Sequence, residues 1–139
     1  MRVVIAPDAF GALDAAPAAE AVAAGWLRGA PGDDPVVVGD LAGLDAALDG
    51  AGLVVTGEQT FDWRSLRGSH VAAVAGAASA RGVPCLVLAE VVSAGRREAA
   101  AAGIDAAYAI GDEAGVPAQA TPGGPLAGLA EVVARRWSR

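Results

Sequence analysis

The chain of 139 residues contains no lysine at all. That absence excludes a Schiff-base lysine, a lysine general base and a P-loop lysine. There is one histidine, His70, and one cysteine, Cys85. One of each cannot build a conventional Cys/His zinc site, and a lone cysteine forms no intramolecular disulfide. Aromatic residues make up only 4% of the chain, so aliphatic side chains and alanine must supply the core. No window reaches transmembrane length without a charge, glycine or proline, and Asp8 interrupts the first apolar run. The expectation is a soluble, cytoplasmic protein with neither a secretory signal nor a membrane partner. The net charge of −6 shows no evident basic patch, so no nucleic-acid partner is expected.

What is present is apolar and rich in small residues: 54% hydrophobic, with 19 glycines. The length suits one α/β domain spanning residues 1–139, with a sizeable core. Short apolar runs alternate with helical patterns along the whole chain. Strands are expected at 2–6, 36–38, 53–55, 85–89 and 106–110. Helices are expected at 15–28, capped by Asp14, and across Leu41, Leu44 and Leu48, capped by Asp40. Further helices are expected at 66–81, capped by Ser65, and at 94–102, with Ser93 as cap and Gly103 as terminator. A last one opens at Pro125. Residues 111–124 lack periodicity and read as a loop. Non-alternating strands between helices signify a mostly parallel sheet of about five strands in a three-layer, Rossmann-like half. Cys85 reads as a buried core thiol, and Trp26 and Trp137 as packing residues.

Chemistry concentrates in Thr56-Gly57-Glu58-Gln59-Thr60-Phe61-Asp62. Read as a loop at the carboxyl end of a strand, it places Glu58 and Asp62 where open α/β sheets bind ligands. Spacing alone also allows a solvated loop whose carboxylates cap the next helix. Right-handed crossovers would bring Asp8, Asp40, Glu58, Asp62, Glu90 and Asp112 to one edge. Such an edge repels bare anions and tolerates a phosphate carried by Mg²⁺. No GxGxxG follows the first strand, Walker A is absent and no G-x-S-x-G elbow exists. Ser69 and His70 are sequence neighbours that diverge on a helix, so His70 reads as a surface or cap histidine. Arg64 and Arg67 read as solvated arginines or phosphate contacts, and Arg96-Arg97-Glu98 as a solvated first turn.

The chain resembles the two ends of a bacterial glycerate kinase of the actinobacterial kind. The resemblance rests on Val4-Ile5-Ala6-Pro7-Asp8-Ala9-Phe10, Val54-Val55-Thr56-Gly57-Glu58, Phe61-Asp62-Trp63 and Ser65-Leu66-Arg67-Gly68. It continues in Gly82-Val83-Pro84-Cys85, Gly95-Arg96-Arg97-Glu98, Ala102-Gly103-Ile104-Asp105-Ala106-Ala107-Tyr108-Ala109 and the closing Trp137-Ser138-Arg139. It implies phosphoryl transfer from ATP to glycerate with Mg²⁺. Asp8, Glu58 and Asp62 would then be the catalytic and metal-binding carboxylates, and Thr56, Gly57, Arg64 and Ser65 the cofactor contacts. The chain departs from the family pattern too. A lysine and a glycine are missing after Asp8, Gln59 replaces glycine, Ser69 replaces lysine, and the middle region with the second domain has no counterpart. Those departures favour a shortened family domain without robust kinase activity, serving as a small-molecule binding or partner module. ATP-dependent phosphorylation of glycerate is the alternative. A homodimer is expected, because a face that a second domain would cover is left open.

Overall fold

The computed structural model describes residues 1–113 and 124–138. Ten elements follow in order: β1 (Arg2–Ile5), α1 (Ala15–Gly29), β2 (Asp34–Val37), α2 (Leu44–Leu48), β3 (Leu53–Phe61), α3 (His70–Ala80), β4 (Cys85–Val92), α4 (Arg96–Ala101), β5 (Ala106–Ala109) and α5 (Gly124–Trp137). Short 3₁₀ turns occupy Leu41–Gly43, Trp63–Leu66 and Ile110–Asp112. The expected loop at 111–124 falls mostly outside the described residues.

All five strands join one sheet in the order β2-β1-β3-β4-β5, and every pairing is parallel. Because alternate side chains leave a strand on opposite faces, the sheet carries two cores. Val3, Ile5, Leu53, Val55, Leu86 and Leu88 pack under α1 and α5, together with Trp26, Leu129 and Val133. Val4, Val54, Cys85 and Val87 pack under α2, α3 and α4, together with Leu48, Val71, Val74 and Ile104. This is the three-layer arrangement expected from the strand and helix alternation. Trp26 is fully buried, while Leu27 beside it in the chain is exposed. Two helices of so few bulky residues must approach closely. A Cβ on Gly25 would lie 2.0 Å from the Ala127 carbonyl oxygen, so α1 meets α5 backbone to backbone there. The salt bridge of Arg28 to Glu131, at 2.8 Å, fastens the exposed rim of that contact.

Four sequence expectations change. The segment 56–61 is not a loop: β3 runs on to Phe61 and β4 to Val92, with Glu58 beside Ala89, Thr60 beside Val91 and Phe61 beside Val92. Phe61, at 0% exposure, anchors the extension, and β-branched or aromatic side chains suit a pleated surface. Second, Ser65 does not cap α3. Ser69 does, accepting from Ala72 N–H at 3.1 Å, because the chain first makes the turn Trp63–Leu66. Third, the residue preceding α4 is Gly95, while Ser93 N–H donates back to the Phe61 carbonyl. Fourth, Asp14 stands at the start of α1 with no side-chain cap bond. Asp40 does cap, accepting from Gly43 N–H at 3.0 Å. Gly103, at φ +95°, ends α4 in the left-handed region that favours glycine.

Candidate functional site

The strand order reverses direction between β1 and β3, and that crevice is where doubly wound sheets receive ligands. The two strands stay bonded past the end of β1: Ala6 N–H donates to Val55 O at 2.9 Å and Asp8 N–H to Gly57 O at 2.8 Å. Asp8 thereby arrives beside Glu58. Gly57 is required by its neighbour, since a Cβ there would sit 2.4 Å from the Leu88 carbonyl oxygen.

The Ala6 carbonyl is held from two sides. Thr56 Oγ1 donates to it at 2.8 Å, and His70 Nε2 lies 2.8 Å away. A carbonyl only accepts, so Nε2 carries the proton and a neutral His70 keeps Nδ1 as an acceptor. His70 is therefore no surface histidine. It opens α3 half-buried and ties that helix to the end of β1. Sequence reasoning had no signal for it, because the partner is a backbone oxygen 64 positions away. Thr56 is buried with its hydroxyl already spent on Ala6, so it acts in positioning β1.

Asp62 and Ser65 form a reciprocal cap on the turn Trp63–Leu66. Asp62 Oδ1 accepts from Arg64 N–H at 2.9 Å, and Ser65 Oγ accepts from Asp62 N–H at 3.1 Å. Ser69 Oγ donates to the Ser65 carbonyl, linking the turn to α3. Within this frame Glu58 is half-buried, and its Oε1 is fully buried with no hydrogen-bond partner among the described residues. Burial pushes the Glu58 carboxyl above the usual glutamate range. The Ser65 hydroxyl opposes that shift, the carboxylates of Asp8 and Asp62 add to it, and His70 draws it back. Ser65 acts mainly as a nearby dipole, since its own hydrogen bonds run to Asp62 N–H and, at a long 3.4 Å, to Thr60 O.

Four of the six carboxylates divide between the sheet's two faces. Glu58, Asp8 and Asp62 gather with His70 on the α3 side. Glu90 leaves the opposite face, where its Oε2 accepts from Gln59 Nε2 at 3.0 Å beside a 300 Å³ hollow lined by Phe10, Leu13 and Leu126. Asp40 is spent on its own turn. Among the described residues no three histidine, cysteine or acidic side chains converge closely enough to cage a metal ion. Mg²⁺ does not need such a cage; it keeps waters and takes one or two carboxylates plus phosphate oxygens. The unpartnered Glu58 oxygen with Asp8 at its side fits that mode. Arg64 and Arg67, from the same turn as Asp62, lie with their guanidinium groups 5.4 Å from the exposed Trp63 ring. Cys85 is buried and its thiol is pushed up to about 12 by burial, as a core residue should be. Among the described residues no helix is long and apolar enough to cross a membrane.

The chain is 44% identical over 91 residues to an uncharacterized protein of Mycobacterium bovis and, equally, to one of Mycobacterium tuberculosis. Each match covers 64% of this chain and 24% of the relative, so the chain spans about a quarter of the curated proteins it matches. No solved structure matches it. The sequence model described as "Glycerate kinase family" matches residues 35–138, which hold nearly all of β2 and everything through α5, with Thr56, Glu58, Asp62, Ser65 and His70 but not Ala6 or Asp8, and on that match the chain belongs to the glycerate kinase family.

Proposed function

We propose that this domain binds a small hydroxylated acid of the glycerate class in the crevice between β1 and β3, without robust phosphoryl transfer of its own. One observation carries the reading: Glu58 keeps a buried oxygen that no group among the described residues satisfies. An unmet buried carboxylate oxygen is costly, and a ligand hydroxyl or a cation would meet it. Glu58 and Asp8 are the groups that would hold Mg²⁺, which would supply positive charge that no lysine supplies here. Glu58, with its raised pKa, is also placed to take a hydroxyl proton. Arg64 and Arg67 are the cations available on the adjoining turn for an anionic group.

Family membership favours a second reading, ATP-dependent phosphorylation of glycerate. Calorimetric titration of the chain with D-glycerate and with ATP, each with and without Mg²⁺, separates the two when paired with a coupled kinase assay. Glycerate is expected to bind weakly, ATP to bind only with Mg²⁺, and Glu58→Gln to abolish both. Turnover is expected to stay well below about 1 s⁻¹, the low end of ordinary enzymes. Tight ATP binding without Mg²⁺ would contradict the site, and faster turnover lost in Asp8→Ala would establish the kinase.

A further inference from the structure

The described arginines divide sharply. Arg28, Arg81, Arg135 and Arg136 each pair with a carboxylate. Among the described residues, Arg2, Arg64, Arg67, Arg96 and Arg97 are in no salt bridge, and all five are exposed. Arg2, at the start of β1, donates to the Asp49 carbonyl; the other four belong to one place. The Phe61 carbonyl accepts both Ser93 N–H at 2.8 Å and Ala94 N–H at 3.2 Å, so the turn carrying Trp63, Arg64 and Arg67 and the start of α4 carrying Arg96 and Arg97 leave the same backbone point. The turn and α4 then pack side by side. Trp63, 60% exposed, carries Arg64 and Arg67 against its ring, and Val91, 51% exposed, adds apolar surface at the same end of the sheet. Tryptophan and arginine are the residues most enriched where interfaces concentrate their binding energy.

Unpaired negative charge stands at the same end: Glu90 and Asp112 are exposed and belong to no described salt bridge. Patches of opposite sign at one end of a molecule can complement themselves across a two-fold axis, with each contact made twice. The geometry points to a second copy of this chain as the occupant: two copies pair end to end, the Trp63 patch of each facing the Glu90 and Asp112 edge of the other. Charge complementarity governs the pairing, so salt must weaken it. The interface is an end of the sheet rather than the open face expected from the sequence, and it borders the Glu58 crevice through Arg64 and Arg67.

Light scattering and sedimentation at tens of micromolar decide it. In about 50 mM salt the mass should be twice the 13.6 kDa of one chain, and raising salt to about 500 mM should weaken association roughly tenfold or more. The variant Arg67→Glu with Arg97→Glu should be a folded monomer, and so should Glu90→Arg with Asp112→Arg, with folding checked by circular dichroism. Mixing the two variants should restore a dimer, because both contacts then regain opposite signs. Should one variant fail to fold, Trp63→Ala supplies the same test through a weakened dimer. A monomer at low salt, a dimer indifferent to charge reversal, or a monomer that instead captures an acidic peptide at Trp63 would each overturn the proposal.

Discussion

Glu58 is the residue whose environment differs most from its ordinary one, and the direction of its shift fixes a pH dependence. Its folded-state pKa is raised, so the native chain holds this proton more tightly than the unfolded chain. Its contribution to stability is full below the ordinary glutamate value and declines as pH rises through that value to the raised one. Glu58→Gln removes the charge without removing the side chain. The melting temperatures of the two proteins should coincide near the acid end and separate as pH rises, the glutamine form becoming the more stable. Calorimetry that found no pH-dependent gap would deny the raised pKa. His70 acts on the same group. His70→Ala removes one of the two anchors on the Ala6 carbonyl and should cost about 1 kcal/mol. It also removes a group that lowers the Glu58 pKa, so a carboxyl-carbon NMR titration should place Glu58 higher still in the variant. Of these two residues, Glu58 was legible in the sequence as an acid near a strand end. His70 was not, because nothing beside it in the chain names a carbonyl on β1 as its partner.

At the scale of elements, the difference between expectation and structure lies in one strand pair. Leu53-Val54-Val55 reads as a strand because it is continuously apolar. Thr56 to Thr60 is polar and contains a glycine, so it reads as a loop. The structure resolves the conflict through pairing: β4 continues as Glu90-Val91-Val92 and offers a ladder that β3 follows as far as Phe61. A pairing between segments some 30 positions apart leaves no periodic trace in either one. The helices were more legible, since Val71, Val74, Ala75 and Ala78 keep a helical spacing and are all buried. Their caps were not, because Ser65 and Ser69 are equally good capping residues and only the turn at Trp63 decides between them. The extended strand makes a clear prediction. Amide hydrogen exchange at Thr60 and Phe61 should be slow, as in a ladder, rather than fast, as in a loop. Phe61→Ala should cost about 3–5 kcal/mol, measured by denaturant unfolding, since it empties a buried aromatic site. A cost below about 1 kcal/mol would return this segment to the surface.

At the scale of the whole molecule, charge and topology act together. The parallel sheet was legible from alternation alone, and the placement of Asp8 next to Glu58 follows once β1 pairs β3. That pairing concentrates negative charge at the carboxyl end of the sheet in a chain whose net charge is already −6. Two kinds of relief are then separable by experiment. Any salt screens the mutual repulsion of exposed carboxylates, whatever its cation. Only a cation that enters the crevice meets the buried Glu58 oxygen, and a ligand bound to the folded state alone stabilises it by about 1.4 kcal/mol at ten times its dissociation constant. Thermal unfolding should therefore shift upward more with MgCl₂ than with NaCl of equal ionic strength. Glu58→Gln should lose the difference between the two salts while keeping the response common to both. Equal shifts from the two salts in the unmodified chain would mean that the crevice takes no Mg²⁺. The buried oxygen of Glu58 would then have to be met by an uncharged donor, such as a hydroxyl of the ligand itself.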